Sequence, residues 1–346
     1  MKIIFFPQRS VQEASSRYRV YYLAEKLQNY LDVEIVGSPL GHSLYYAKYN
    51  VYKKILLNIS NNLKMFSKLL DHKHSIFVFQ RGEWQKGRFF QICFFKKLLN
   101  RNIIFDLDDA IFLRNKKVDE ILALCNIVFA GSHFIRDYVQ MFNDNVYLIP
   151  TCIDTKRYKI KEHVEKSKIS IGWIGSPSTV KYLNLIKDPL ERLGDSHNIK
   201  FVVVGANKAE NKLPKIRNVN MEIKDWKLET EWDEIKSFDI GVMPLFNGDW
   251  ERGKCAFKAM QYMVLGIPAV CSSVGEANHL INSGNNGFLC ADEKEWESSL
   301  EGLISDHKLR NKIGHNGRNK IEEEYDISKT AKKVSNIIKS EFGGIP

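Results

Sequence analysis

The chain of 346 residues has no apolar run near the roughly 18 residues that a membrane-spanning helix requires. Its first residues, MKIIFFPQRS, group only four apolar residues before Pro7, too short a block for a signal-peptide core. The six cysteines, Cys93, Cys125, Cys152, Cys255, Cys271 and Cys290, form no CxxC pair and no Cys/His ligand spacing. Several lie inside apolar runs, as buried reduced thiols do, so a cytoplasmic protein is expected. Hydrophobic residues make up 44% and charged residues 27%, which leaves no case for extended disorder. A chain of this length is expected to fold as about two domains.

Acidic residues are scarce in one region. Residues 1–150 carry 21 Lys/Arg against 13 Asp/Glu, a net of +8, whereas residues 151–346 carry 30 against 28. The deficit is deepest over residues 48–101, with 12 basic and 2 acidic residues interleaved with aromatics in KKILLNISNNLKMFSKLL and KGRFFQICFFKKLLNR. Two readings stay open for these basic amphipathic helices. They lie on an anionic membrane at the inner face of the cell membrane, or they show a solvated basic face above a buried apolar one. No recognised nucleic-acid motif accompanies them and the second half is nearly neutral, so nucleic acid is not an expected partner.

Short β-rich apolar runs alternate with longer helical patterns throughout, the arrangement of parallel α/β layers. In the first half the expected strands are KIIFFP, VEIVG, SIFVFQR, NIIFDL, NIVFAGS and VYLIP. Helices are expected near 17–30, 53–70, 86–100, 117–124 and 132–142. A polar stretch without periodicity, TCIDTKRYKIKEHVEKSK, reads as a linker, and a second series follows: ISIGWIGS, IKFVVVGA, VNMEIK, IGVMPL, PAVCSS and GFLC. The expected fold is α/β, with two doubly wound Rossmann-like domains facing across a cleft. Residues 1–154 form the first, 155–168 the linker and 169–326 the second, and an amphipathic helix over 327–342 crosses back to the first. In such sheets ligands bind beyond the carboxyl ends of the strands.

Those ends select the loops to read. GWIGSPSTVKYL is a strand, a Gly/Ser loop and a helix expected near Ser178. Gly175 permits close backbone approach, Ser176 and Thr179 offer hydroxyls, and Lys181 lies in the first turn. An ordinary capped turn would look much the same. GDWERGKCAFKAMQYMVLGIPAV places Lys254 and Lys258 one turn apart if residues 254–265 are helical, so two like charges share one face. Either they hold an anion, with Arg252 beside them and a diphosphate the natural candidate, or they pair with Glu251 or Asp249 along solvated stems. Near the amino terminus, Ser15 or Ser16 is expected to cap a helix with Arg17 and Arg19 at its mouth. NIIFDLDDAIF ends a strand on Asp106, Asp108 and Asp109, suited to polar contacts, a general base or a metal. The residues around the cluster favour polar contact over metal.

These segments together resemble the retaining glycosyltransferases of family 4, the glycosyl transferases group 1, with a GT-B fold. The resemblance is strongest over DIGVMPLFNGDWERGKCAFKAMQYMVLGIPAVCSSVGEANHLINSGNNGFL, and continues in IGWIGSPSTVKYL, SSRYRV, FDLDDAIF and VYLIPTCIDTKRY. It implies that the second domain binds a nucleotide-sugar donor, through Gly175, Ser176, Thr179, Lys181, Trp226, Glu251, Arg252, Lys254, Lys258, Gly275 and Asn278. The first would bind a glycan or lipid-linked glycan acceptor through Ser16, Arg17, Arg19 and Arg81. The implied activity is sugar transfer with retained configuration, in bacterial cell-surface polysaccharide synthesis. No metal or cofactor is needed, the nucleotide-sugar being a substrate. Catalytic roles fall to Asp108, Asp109, Lys254 and Lys258.

The sequence departs from the family's usual pattern of two glutamates eight positions apart. Lys258 stands where the second precedes Ala-Met and Trp250 where the first stands, as in a subgroup with Trp-x-Arg-Gly-Lys-Cys. The glutamate that would hold the donor ribose is therefore replaced, which leaves Glu251 or a backbone group for that contact. The family's histidine after the fourth strand is also replaced, by LDDA. Alternatives of the same shape are a nucleotide-sugar epimerase and a catalytically silent glycan-binding partner of another transferase.

Overall fold

The computed structural model describes residues 1–37, 51–71, 74–81, 86–206 and 212–343. Parts of the basic stretch, residues 48–50, 72–73 and 82–85, lie outside the described residues. Compact packing divides the chain into two units. The first comprises residues 1–152, 253–255 and 325–346, and the second residues 153–252 and 256–324.

The first unit holds strands β1 (Lys2–Phe6), β2 (Asp32–Ile35), β3 (Ile76–Gln80), β4 (Asn102–Leu107), β5 (Ile127–Ala130) and β6 (Val146–Leu148). They form one sheet in the order β2-β1-β3-β4-β5-β6, with every pairing parallel. Its helices are α1 (Ala14–Ser16), α2 (Tyr22–Leu27), α3 (Val51–Asp71), α4 (Lys86–Leu99), α5 (Lys117–Leu124) and α6 (His133–Val139). A π-helical turn, Arg17–Tyr21, joins α1 to α2.

The second unit holds β7 (Ile169–Ile174), β8 (Ile199–Val204), β9 (Asn220–Lys224), β10 (Ile240–Met243), β11 (Ala269–Ser272) and β12 (Phe288–Cys290). Its sheet, also parallel, runs β12-β11-β10-β7-β8-β9. The helices around it are α7 (Lys187–Ser196), α8 (Glu231–Lys236), α9 (Asp249–Arg252), α10 (Phe257–Val264), α11 (Ala277–Leu280), α12 (Glu293–Ser305) and α13 (His307–Glu324). All twelve expected strands are present. β3, β7 and β10 are buried along their whole length, as the near-continuous apolar runs of parallel strands covered on both faces require.

The last helix, α14 (Ile327–Phe342), belongs to the first unit, as its apolar stripe implied. Ile327, Ala331, Val334, Ile338 and Phe342 recur every three to four residues and enter the same core as Ile3, Phe5, Leu23 and Ile104. Asp326 caps the helix by accepting from the Ser328 amide at 2.8 Å. Near its end the Tyr147 hydroxyl donates to Glu341 at 2.6 Å.

Residues 153–168, polar and without periodicity, are held by the second unit through the backbone. The Lys161 amide donates to the Leu265 carbonyl at 2.8 Å, and Arg318 donates to the Thr155 and Tyr158 carbonyls. Within this segment His163 is 2% exposed, and its Nε2 lies 2.9 Å from the Gly266 carbonyl oxygen, which sets the neutral tautomer with the proton on Nε2. Its Nδ1 has no hydrogen-bond partner among the described residues and is 4.0 Å from Asp239. Burial, helped by the cations Lys161 and Arg310, lowers its pKa to about 4.

The unfolded chain, with an imidazole of pKa about 6.5, therefore binds more protons than the folded one between these values. The contribution of His163 is complete above pH 6.5 and is lost as the pH falls toward 4, by roughly 3 kcal/mol at most. Thermal melting followed against pH should show this fall in the parent and a shallower one in His163→Gln. Identical profiles would mean that the imidazole titrates alike in the folded and unfolded chain.

Candidate functional site

Both sheets reverse their strand order at one point, between β1 and β3 in the first and between β7 and β10 in the second. At such a point the loops at the carboxyl ends of neighbouring strands leave in opposite directions and open a crevice within the unit.

In the second unit the loop after β7 is Gly175–Ser176, and Pro177–Ile186 follows as a 3-10 helix rather than the α-helix expected from Ser178. Pro177 suits this first turn, since its missing N–H would have had no helical partner. The Thr179 hydroxyl donates to the Ser176 carbonyl at 2.8 Å, and the Ser176 and Ser178 hydroxyls are 2.9 Å apart. Lys181 lies 5.2 Å from the Tyr182 ring centre and 5.9 Å from that of Phe246, so the loops after β7 and β10 meet around this ammonium. Gly205, at the end of β8, has φ +89, and a Cβ there would lie 2.3 Å from the Gly175 carbonyl oxygen and 3.3 Å from the Trp226 Cβ. Only glycine lets these strand ends approach so closely. Trp226 is half-buried at the carboxyl end of β9, among the loops rather than in the core.

After β10, α9 carries Glu251 and Arg252. Glu251 is buried, and its Oε1 accepts from the Tyr182 hydroxyl at 2.5 Å. Arg252 donates to Asn247 Oδ1 at 3.0 Å and pairs with Asp249 at 3.3 Å. Gly275, after β11, adopts φ +57, and a Cβ there would meet the Arg252 backbone within 3.0 Å. Asn278 accepts from the Ser273 hydroxyl at 2.9 Å. The β7, β10 and β11 loops are thus tied to one another, which brings together Gly175, Ser176, Thr179, Lys181, Glu251, Arg252, Gly275 and Asn278.

The expected helix over 254–265 is corrected. α10 begins at Phe257, and the residue before it, Ala256, adopts a left-handed backbone with φ 51. Lys254 therefore lies outside the helix and the two lysines do not share a face one turn apart. Gly253 and Cys255 explain the break, since residues 253–255 belong to the first unit. There the Cys255 thiol donates to the Asp108 carbonyl at 3.1 Å, and the Ser132 hydroxyl to the Gly253 carbonyl at 3.4 Å. Lys258 stays on α10, half-buried, with its Nζ 5.7 Å from the Trp173 ring centre. The carboxylates proposed as structural partners have partners of their own, Tyr182 for Glu251 and Arg252 for Asp249.

In the first unit a polar network fills the carboxyl ends of β1, β3 and β4. Ser15 and Ser16 do not cap a helix. The Ser15 hydroxyl donates to Asp108 at 2.5 Å, while the Ser16 hydroxyl donates to Gln80 Oε1 at 2.8 Å and accepts from the Arg9 amide. Gln80 returns a bond to Ser15 at 2.7 Å. Arg81, in a left-handed conformation with φ 44, pairs with both Asp108 and Asp109. Burial works to raise the Asp108 carboxyl, but Arg81, Arg19 and Ser15 outweigh it and hold the group below its usual range, so it is an acceptor at neutral pH.

Arg17 and Arg19, expected at the mouth of a helix, are 1% and 4% exposed. Arg17 donates to the Val11 and Gln12 carbonyls, which ties down the loop after β1. Arg19 forms a bidentate pair with Asp106 and donates to the Ile149 carbonyl at 2.9 Å. The π-helical turn carries both arginines and re-aims this face of the helix, a feature often met at functional sites.

Gln80 and Tyr182 were missed from sequence. A lone glutamine ending the apolar strand IFVFQ was a signal for the first; nothing local marked the second.

Residues 168–306 match the family described as glycosyl transferases group 1. The capsular polysaccharide biosynthesis glycosyltransferase CapM of Staphylococcus aureus is 24% identical over 183 residues, 50% of this chain and 47% of that protein. An Escherichia coli UDP-Gal:alpha-D-GlcNAc-diphosphoundecaprenol alpha-1,3-galactosyltransferase is 26% identical over 144 residues, 40% of this chain and 36% of that protein. The chain thus spans less than half the length of either curated relative. Among solved structures, Anabaena HepE in complex with UDP and glucose aligns with a TM-score of 0.69 at 12% identity, covering 98% of this chain and 100% of that one. Such a likeness speaks to fold alone, and it agrees with the two parallel six-stranded sheets of a GT-B fold.

Proposed function

We propose that this chain is a retaining, metal-independent glycosyltransferase that moves a sugar from a nucleotide-sugar donor to a glycan or lipid-linked glycan in cell-surface polysaccharide synthesis. The observation that carries the reading is the convergence of the β7, β10 and β11 loops at the switch point of the matched domain, with Lys181 and Lys258 both present there. Fixed cations and backbone amides at a strand-end crevice suit a diphosphate. The S. aureus and E. coli relatives, by their names, work in capsule and lipid-linked sugar assembly.

In this reading the second unit holds the donor. Gly175, Ser176 and Thr179 face the phosphates, Trp226 the base, and Gly275 and Asn278 the sugar. Glu251, fixed by Tyr182, takes the ribose contact that the glutamate replaced by Lys258 would have made. Lys181 and Lys258 stabilise the charge that grows on the leaving diphosphate. The donor's own phosphate receives the acceptor proton, so no protein nucleophile is used. In the first unit Asp108 and Asp109, held ready as acceptors by Arg81 and Ser15, contact sugar hydroxyls. Ser16, Arg17 and Arg19 hold the loop that receives the acceptor rather than touching it.

A thermal-shift screen against nucleoside diphosphates and their sugars tests the reading. At one hundred times its dissociation constant the right donor should stabilise the protein by about 2.7 kcal/mol. A flat response across the panel would remove the donor assignment. Turnover that chelator abolishes and magnesium restores would remove metal independence.

A further inference from the structure

Helix α3 carries an apolar stripe on its outer side. Tyr52, Ile59, Leu63, Phe66 and Leu70 fall within an arc of about 60° at the helical rotation per residue. They are 72%, 51%, 64%, 38% and 46% exposed, whereas Met65 and Leu69 on the inner side are buried. With 21 residues the helix is about 31 Å long. Its last turn is fixed by Arg101, which donates to the Leu69 and Leu70 carbonyls at 3.0 and 3.2 Å. Phe66 meets Phe95 of α4 edge to face, with ring centres 5.0 Å apart, and one turn beyond Phe95 the end of α4 exposes Leu98 and Leu99 beside Lys97.

We propose that this face of α3, with the exposed end of α4, lies in the headgroup–acyl boundary of an anionic lipid bilayer. The charge around it chooses this occupant. Residues 48–101 hold 12 Lys/Arg and 2 Asp/Glu; Lys97 is exposed beside Leu98 and Leu99, Lys64 is exposed on the flank of α3 about 100° around the helix from Leu63, and Lys68 pairs with Glu34 at 2.7 Å. A second copy would bring the same cations against themselves. Nucleic acid would leave the apolar residues in water. An anionic bilayer satisfies both features, and a helix of this kind lies in the interface without crossing it. Among the described residues no helix is long and apolar enough to span a membrane. The inference does not rest on the donor assignment, and either can fail alone.

The test is flotation of the full chain with vesicles of phosphatidylcholine, alone and with increasing phosphatidylglycerol. Binding should rise with phosphatidylglycerol and fall with salt. Ile59→Gln/Leu63→Gln changes two exposed side chains to neutral helix formers, so its melting temperature should match the parent. Its partitioning should fall at least about tenfold, because burial of each such side chain is worth on the order of a factor of ten. Lys64→Gln/Lys97→Gln should lose the dependence on phosphatidylglycerol. Binding that ignores lipid charge, or an Ile59→Gln/Leu63→Gln protein that binds like the parent, would overturn the proposal. So would a parent that does not float but self-associates through this face.

Discussion

Arg19→Met is expected to destabilise the first unit by roughly 3–5 kcal/mol, the usual cost of removing one partner of a buried ion pair. The guanidinium donates to both Asp106 oxygens, at 2.9 and 2.5 Å, and to the Ile149 carbonyl, and both side chains are 4% exposed overall. Burial pushes the Asp106 carboxyl up and Arg19 pulls it back, so without the arginine the buried carboxylate keeps only the weaker pull of Arg81, with Asp108 close by. The group would then take up a proton, and the Ile149 carbonyl would lose its donor. Asp106→Leu alone should cost a similar amount by stranding the guanidinium. The double variant Arg19→Met/Asp106→Leu should recover much of the loss, since two apolar groups of similar volume strand no charge, and only neutral groups such as the Ile149 carbonyl lose a donor. Denaturant midpoints of the four proteins measure the coupling. Losses that simply add would mean that the two residues act separately.

Lys258→Met should produce the largest change in binding. If the ammonium neutralises a diphosphate in a half-buried crevice, its removal forfeits a charge-assisted contact of about 1.5–3 kcal/mol, or about ten- to a hundredfold in affinity. Transfer should slow further, because charge on the leaving group grows in the transition state. Stability should fall by less than binding does: methionine keeps the apolar stem, and the contacts of the ammonium, among them that with the buried Trp173 ring at 5.7 Å, are lost. Relief of repulsion between the two lysines adds little, because Lys254 lies outside α10. Calorimetric titration of nucleoside diphosphate into both proteins, with their melting temperatures, separates the roles. Unchanged affinity with a lowered melting temperature would make Lys258 a structural residue.

The break before α10 shows why part of the site was not legible. Helix periodicity through Lys254 and Lys258 is a local pattern, and it continues smoothly across Cys255 and Ala256. What interrupts it is the attachment of residues 253–255 to the first unit, through Asp108 and Ser132, which are far away in the chain. The same holds for Tyr182 and Glu251, 69 positions apart, and for Arg19 and Asp106, 87 apart. A tyrosine in a run such as KYL, or an arginine in SSRYRV, carries no local sign of the carboxylate that will meet it.

The sequence alone determined the alternation of strands and helices, the division into two doubly wound sheets and the return of the last helix. The expected helices over 117–124 and 327–342 are α5 and α14 to the residue. Apolar periodicity, β-branched runs and glycine breaks act within a few residues, and they also placed the loops after β4, β7 and β10 at the strand ends where ligands bind. Only the tertiary structure decided which polar side chains are buried and with whom. A buried charge must find its partner wherever the chain happens to pass, and that partner turned Arg19 from a surface residue into the clamp on Asp106, and Ser15 from a helix cap into a donor to Asp108.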